Sequence, residues 1–337
     1  MATASTTPFC LAARWCVVVA GVVAWASWAP GLAARQGPAA PVAGRPTLET
    51  IQIRPNVYVI FGAGANVTAH VGDDGVILVD SGNAASADAV LDAVRAITPQ
   101  KIRLIINTSA DADHVGANEK VALTGVSLVA DIFADQIQAT ILAHEKVMER
   151  MSGAESPFPE GSLPTETFTS RYRSIYVNDE AIQILRQTGA HSDGDIMVLF
   201  RRADVVVTGD VLDLRHFPDI NPAKGGSIQG ELEALNRLID LAVPNTPLLL
   251  KSGRTFIVPG HGRVSDYAEV VEYRDMVTVI RDIIQDLIDK GRTLEQVKAA
   301  DPTAGYKARY GTYSGPWATD MFVEAIYNAL KATKGRP

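Results

Sequence analysis

Hydrophobic positions along this chain follow two rhythms, short β-rich runs and longer stretches with a helical repeat. Residues 51–53 and 57–60 are the first runs, rich in Ile and Val, and glycines at 62 and 64 break them. Residues 67–71 and 76–79 flank Gly72-Asp73-Asp74-Gly75, which predicts two strands joined by a turn. Val90, Leu91, Val94 and Ile97 then recur at helix spacing. Residues 102–106 are apolar except for Arg103, as in a strand covered on both faces, and 126–130 repeat that pattern after a helical segment. Further strands are predicted at 182–185, 197–200, 205–207 and 255–258.

Three later stretches carry one apolar face each. Leu232, Leu235, Leu238 and Ile239 mark the first, and Met276, Ile280, Ile283, Ile284, Leu287 and Ile288 mark a longer second. Met321, Phe322, Ile326, Tyr327 and Leu330 mark the last. Hairpin signals are mixed into the α/β alternation, so sheets covered by helices fit better than one purely parallel sheet.

The start of the chain reads differently. Arg14 is the only charge before Arg35, and an apolar run through Cys16 and Trp25 ends in Gly31-Leu32-Ala33-Ala34. That pattern predicts a secretory signal over 1–34, followed by a flexible linker over 35–48 rich in Pro, Ala and Gly. An uncleaved anchor is the alternative, but Pro30 and Gly31 interrupt the run before the ~20 residues a spanning helix needs. The expectation is an exported protein, periplasmic or extracellular, with no membrane contact once the signal is cleaved. Both cysteines, Cys10 and Cys16, fall in this leader, so the mature chain offers no disulfide and no thiolate.

Charge narrows the partners. The chain of 337 residues has a net charge of -7 and no cluster of Lys and Arg interleaved with aromatics. A nucleic-acid partner is therefore not expected, and a small-molecule substrate is.

Chemistry-bearing residues gather where predicted strands end. The segments are Asp80-Ser81-Gly82, then 107–118 with Ser109, Asp111, Asp113 and His114, then 189–195 with His191 and Asp193. Thr208-Gly209-Asp210 and Pro259-Gly260-His261-Gly262 follow. Three of the six histidines lie here with aspartates beside them, and imidazole with carboxylate makes a site for a divalent metal such as zinc. Taken singly, each is as readily a capping Asp or a core His.

Taken in order, the segments resemble the metallo-β-lactamase superfamily, with its His-x-His-x-Asp-His loop, a later His, a Thr-Gly-Asp-like turn and a final Gly-His-Gly-like loop. The resemblance covers roughly residues 49–265 and implies a four-layer αββα sandwich, with the site at one edge and residues 266–337 as a helical C-terminal extension packed on the same domain. It implies that Asp113, His114 and His261 are ligands of the second metal position. Asp210 falls on the bridging carboxylate and His191 on the third histidine of the first position. Ser109 and Asp111 stand where the other two histidines belong, so the first metal-binding loop is altered.

Three readings follow. One zinc ion sits at Asp113, His114, Asp210 and His261; or Asp111 adds an oxygen ligand and a second ion binds, favouring iron or manganese; or metal binding fails. In the leading reading, a metal ion activates water and the hydroxide attacks an ester, lactone, thioester or β-lactam carbonyl. Asp111 and Asp113 are the candidate catalytic carboxylates, Asp111 as the group that positions or deprotonates the water if it is not a ligand. Asp80 is expected either to orient the metal loop or to cap it. Asp193-Gly194 is expected in a turn, His216 in an exposed loop or lining the cleft, and His70 and His144 as structural residues in a strand and a helix. The rival reading is a catalytically inactive binding protein that reuses the fold.

Overall fold

The computed structural model describes residues 47–128, 138–245, 253–313 and 318–334. The predicted signal and nearly all of the linker lie outside the described residues, as do residues 129 and 130.

Two sheets form the centre. The first runs β1 (Glu49–Arg54), β2 (Val57–Phe61), β3 (Val67–Gly72), β4 (Gly75–Val79), β5 (Ile102–Ile106), β6 (Thr140–His144) and β7 (Glu166–Phe168), side by side in that order. β1 to β4 pair antiparallel, and β4 to β7 pair parallel. The second sheet contains β8 (Tyr172–Val177), β9 (Glu180–Arg186), β10 (Ile196–Phe200), β11 (Val205–Asp213) and β12 (Phe256–His261), antiparallel except for β11 with β12.

Strand alternation sorts the apolar residues into layers. Ile77 and Val79 of β4 face Ile196, Val198 and Phe200 of β10 in the core between the sheets. Val76 and Leu78 turn outward onto α1 (Ala87–Ile97), whose Val90, Leu91 and Val94 are buried. The same outer layer takes in α2 (Ala112–Val115), α3 (Asn118–Leu123) and α4 (Glu145–Met151), which lie along the chain between β5 and β7. Met197 and Val206 face the other way, onto the helices that follow. These are α5 (Ile228–Leu241), α6 (Tyr267–Asp289), α7 (Leu294–Ala299), α8 (Lys307–Tyr310) and α9 (Thr319–Lys334). The result is helix, sheet, sheet, helix, the sandwich expected from the sequence.

The C-terminal helices share the core of the second sheet. Leu232, Leu235 and Leu238 of α5, Met276, Ile280, Ile284 and Ile288 of α6, and Phe322 and Ile326 of α9 pack in one cluster. Each fully buried aliphatic side chain contributes about 1.5–3 kcal/mol. Ile283 departs from the predicted stripe and is 40% exposed.

The strand expected over 126–130 is not seen in its described part. Residues 126–128 are not in a strand, and the place beside β5 is filled by β6, with Leu104, Ile105 and Ile106 paired to Thr140, Ile141 and Leu142. His144 accordingly does not sit inside a helix: it ends β6 and caps α4, its Nδ1 accepting from the Lys146 amide at 3.2 Å.

Candidate metal centre

Loops from both sheets meet at one edge of the sandwich. β5 leads into Asn107 to Asp111, and Asp111 caps α2, which carries Asp113 and His114. The backbone of α2 is pinned: His114 O accepts from the Ser81 amide at 2.8 Å, and Asp113 O accepts from the Ala65 amide at 3.1 Å. From the second sheet come His191 after β9, Asp210 within β11 and His261 at the end of β12. Gly260 has a steric reason: a Cβ there would lie 2.7 Å from Asp210 Oδ1 and 2.8 Å from the Gly209 backbone.

Asp80 follows β4 with a φ of 60°, a left-handed conformation that Asp and Asn tolerate better than most side chains. There its carboxylate accepts from the Thr108 amide at 2.8 Å and from Thr108 Oγ1 at 2.6 Å, and lies 2.8 Å from His114 Nδ1. With Nδ1 engaged, His114 turns Nε2 toward Asp210 Oδ1 at 3.0 Å. Asp219 does the same for His191: its backbone carbonyl lies 2.6 Å from Nδ1, leaving Nε2 at 2.9 Å from Asp111 Oδ2. His261 Nε2 lies 3.1 Å from Asp113 Oδ2 and 3.5 Å from Asp210 Oδ1. Three imidazoles thus aim Nε2 at carboxylates in one pocket.

Two sets of donor atoms lie within 4.8 Å of one another: Asp113 with His114 and His261, and Asp111 with His191 and Asp210. Asp210 belongs to both neighbourhoods through its contacts with His114 and His261. All six residues singled out in the sequence therefore converge. Ser109 is buried and accepts from the Asp111 amide at 3.2 Å, a local turn contact.

The electrostatics suit a cation. Burial opposes charge on His191, yet its hydrogen bond to Asp111 and the charge of Asp210 push its pKa up to about 10. His114 is raised too, because Asp210 and Asp80 outweigh complete burial. Burial would raise the Asp210 carboxyl, but the charges of His114, His191 and His261 hold it far below the usual range. Asp113 is also lowered, burial being overcome by its hydrogen bond to His261 and by His114. Without metal, these carboxylates hold protons on neighbouring imidazoles. The same carboxylates and imidazoles would hold a divalent ion in place of those protons, so the donor set fits one.

Several contributors escaped the sequence reading. Thr108 and Asp219 act through the imidazoles just described. Lys224, in a 3-10 turn at Pro222–Lys224, places Nζ against Asp111 Oδ1. Pro222 and Gly225 signalled only a turn there. Asp195, at the end of the 189–195 segment, is buried and accepts from the Ser192 amide at 2.7 Å, while burial pushes its pKa up to about 6. Asp193 lies in a turn, as expected, 2.6 Å from the Arg150 guanidinium. His216 is half-buried, 3.2 Å from Asp213, and its carbonyl accepts from the Tyr273 hydroxyl of α6 at 3.1 Å. His70 lies inside β3, stacked on Phe200.

Solved structures share this fold. A stereoselective inverting sec-alkylsulfatase from Pseudomonas sp. aligns over 83% of this chain with a TM-score of 0.62 and 15% identity. This chain spans 50% of that protein's length. A metallo-beta-lactamase from Pontibacter korlensis aligns over 69% of this chain and 99% of its own, with a TM-score of 0.52 and 15% identity. The DIM-1 metallo-beta-lactamase does so over 69% and 98%, with a TM-score of 0.51 and 12% identity. No curated protein matches the sequence significantly. At such identities the structural likeness speaks for the fold. The sequence profile of the metallo-beta-lactamase superfamily, however, matches residues 60–300, which take in every loop of the centre. Fold, site and sequence agree, and the chain belongs to the metallo-beta-lactamase superfamily.

Proposed function

We propose that the protein is an exported hydrolase that uses one divalent ion, zinc first among the candidates, held by Asp113, His114, Asp210 and His261. The observation that carries this reading is the orientation of His114, whose Nδ1 is engaged by Asp80 so that Nε2 faces Asp210. When bound, the ion supplies Lewis acidity and a water of lowered pKa. Asp80 and Thr108 hold the His114 ring, and Asp219 holds the His191 ring. His191, on the other side of Asp210, keeps Asp111 ionised beside the site. The charged Asp111, whose oxygens keep lone pairs beyond their contacts with His191 and Lys224, orients water by accepting a hydrogen bond from it.

The substrates proposed are small esters, lactones, thioesters or β-lactams. Relatives of the fold include a sec-alkylsulfatase and β-lactamases, so sulfate esters belong in the same panel. Export rests on the signal pattern of residues 1–34.

The test is elemental analysis of protein purified without chelator, followed by hydrolysis assays on that panel, with His114→Ala alongside. About one equivalent of metal, with hydrolysis lost together with metal in the variant, is expected. Absence of metal even after addition of excess zinc or manganese would replace this reading with that of a binding protein.

A further inference from the structure

The Asp111, His191 and Asp210 cluster has the makings of the first metal position, but a cation of the protein already sits on its Asp111. Lys224 Nζ contacts Asp111 Oδ1, and His191 Nε2 lies 2.9 Å from Asp111 Oδ2, so both oxygens of that carboxylate are engaged.

The lysine is placed by its backbone. Its carbonyl accepts from the Arg150 guanidinium at 2.6 Å and from the Asp193 amide at 2.9 Å. Its amide donates to Asn221, at 3.2 Å to Oδ1 and 3.0 Å to the carbonyl. The Asn221 amide in turn donates to His191 O at 3.1 Å, and Ser192 bridges to Gly225 in antiparallel fashion. Gly225, at a φ of 80°, closes the turn. The lysine loop is therefore zipped by main-chain bonds to the loop that carries His191, and the two side chains meet on opposite oxygens of one carboxylate.

We propose that Lys224 is the resident cation of the first metal position, occupying with its ammonium the charge that a second ion would bring and so holding the protein to a single metal. This rests on the single-metal hydrolase reading. A divalent ion on Asp111 would meet the ammonium as a like charge on the same carboxylate, in a pocket partly withdrawn from water. Ser109 supplies nothing to replace the lysine, since its hydroxyl is turned to the Asp111 amide.

The experiment is metal titration with elemental analysis of the full chain, comparing wild type, Lys224→Arg, Lys224→Met and Lys224→Met combined with His191→Ala. Far-UV circular dichroism checks that each is folded. Wild type and Lys224→Arg are expected to bind one equivalent. Lys224→Met is expected to bind a second, with manganese or iron preferred over zinc because two carboxylates and one imidazole form a hard donor set. The double variant should return to one. A second equivalent in wild type, or a single equivalent in folded Lys224→Met, overturns the proposal and leaves the hydrolase reading standing. No ion in either protein overturns the hydrolase reading and this one with it.

Discussion

His114 and Asp80, buried together, meet through Nδ1 and Oδ2 at 2.8 Å, and this contact decides which nitrogen of the imidazole faces the pocket. A carboxylate behind a ligating histidine fixes ring orientation and raises basicity, and its loss costs roughly 10–100-fold in metal affinity. Asp80→Asn is the clean test, because Asn tolerates the left-handed backbone at φ 60° that most side chains resist. The expected result is metal affinity weaker by about one to two orders of magnitude, read by competition with a chromophoric chelator. Unchanged affinity would reduce Asp80 to a cap of the Thr108 loop.

Metal should stabilise the folded chain. An ion that binds only the native state adds about 2.7 kcal/mol when free metal stands at a hundred times its dissociation constant. Removing it with a chelator is therefore expected to lower Tm in wild type and to leave His261→Ala unmoved. Equal melting of the two proteins with and without chelator would count against His261 as a ligand.

Gly260→Ala probes the close approach of two strands. The added Cβ would come 2.7 Å from Asp210 Oδ1 and 2.8 Å from the Gly209 carbonyl, inside any normal contact. Overpacking of this kind costs about 1–3 kcal/mol. We expect a lower Tm together with weaker metal binding, because Asp210 must move. A Tm loss with metal affinity intact would show that the strain is relieved away from the carboxylate.

His70 gives a pH dependence remote from the metal ligands. Its Nε2 lies 2.8 Å from the Asn56 amide nitrogen, its ring stacks on Phe200 at 5.1 Å, and burial lowers its pKa from 6.5 to about 4. The folded state thus binds fewer protons than the unfolded state between these values. Stability from this group is full above pH ~6.5 and is lost as pH falls toward ~4, by something on the order of 3 kcal/mol. His70→Gln is expected to be less stable at neutral pH but to show a shallower fall in denaturant midpoint across that window. Parallel profiles for the two proteins would refute the assignment.

The legible and illegible parts of the molecule divide along physical lines. Strand-end position put Asp113, His114, Asp210 and His261 on one rim, and only the order of their segments, which resembles that of the superfamily, marked them as ligands. The stripes of α5 and α6 were readable because one face of a long helix is buried at constant spacing. β6 was not, since Thr140 to His144 run straight into the helical Glu145–Met151, and only pairing with β5 decides where the strand lies. Lys224 was hidden for a similar reason. In sequence it is 113 positions from Asp111, in a Pro- and Gly-bounded turn, and its role comes from a zipper of main-chain bonds to the His191 loop.

The centre takes Asp113 and His114 from the end of the seven-stranded sheet and Asp210 and His261 from the five-stranded one. An ion held by these four side chains would be a removable cross-link between the two faces of the sandwich, tying together segments far apart in the chain. It also makes the ion a gauge of how the sheets are aligned. A small slip along the shared interior, where Ile77 and Val79 meet Val198 and Phe200, would misplace one pair of ligands relative to the other. Substitutions deep in that interior, touching no ligand, should therefore register first as a change in metal affinity and only later as a loss of fold.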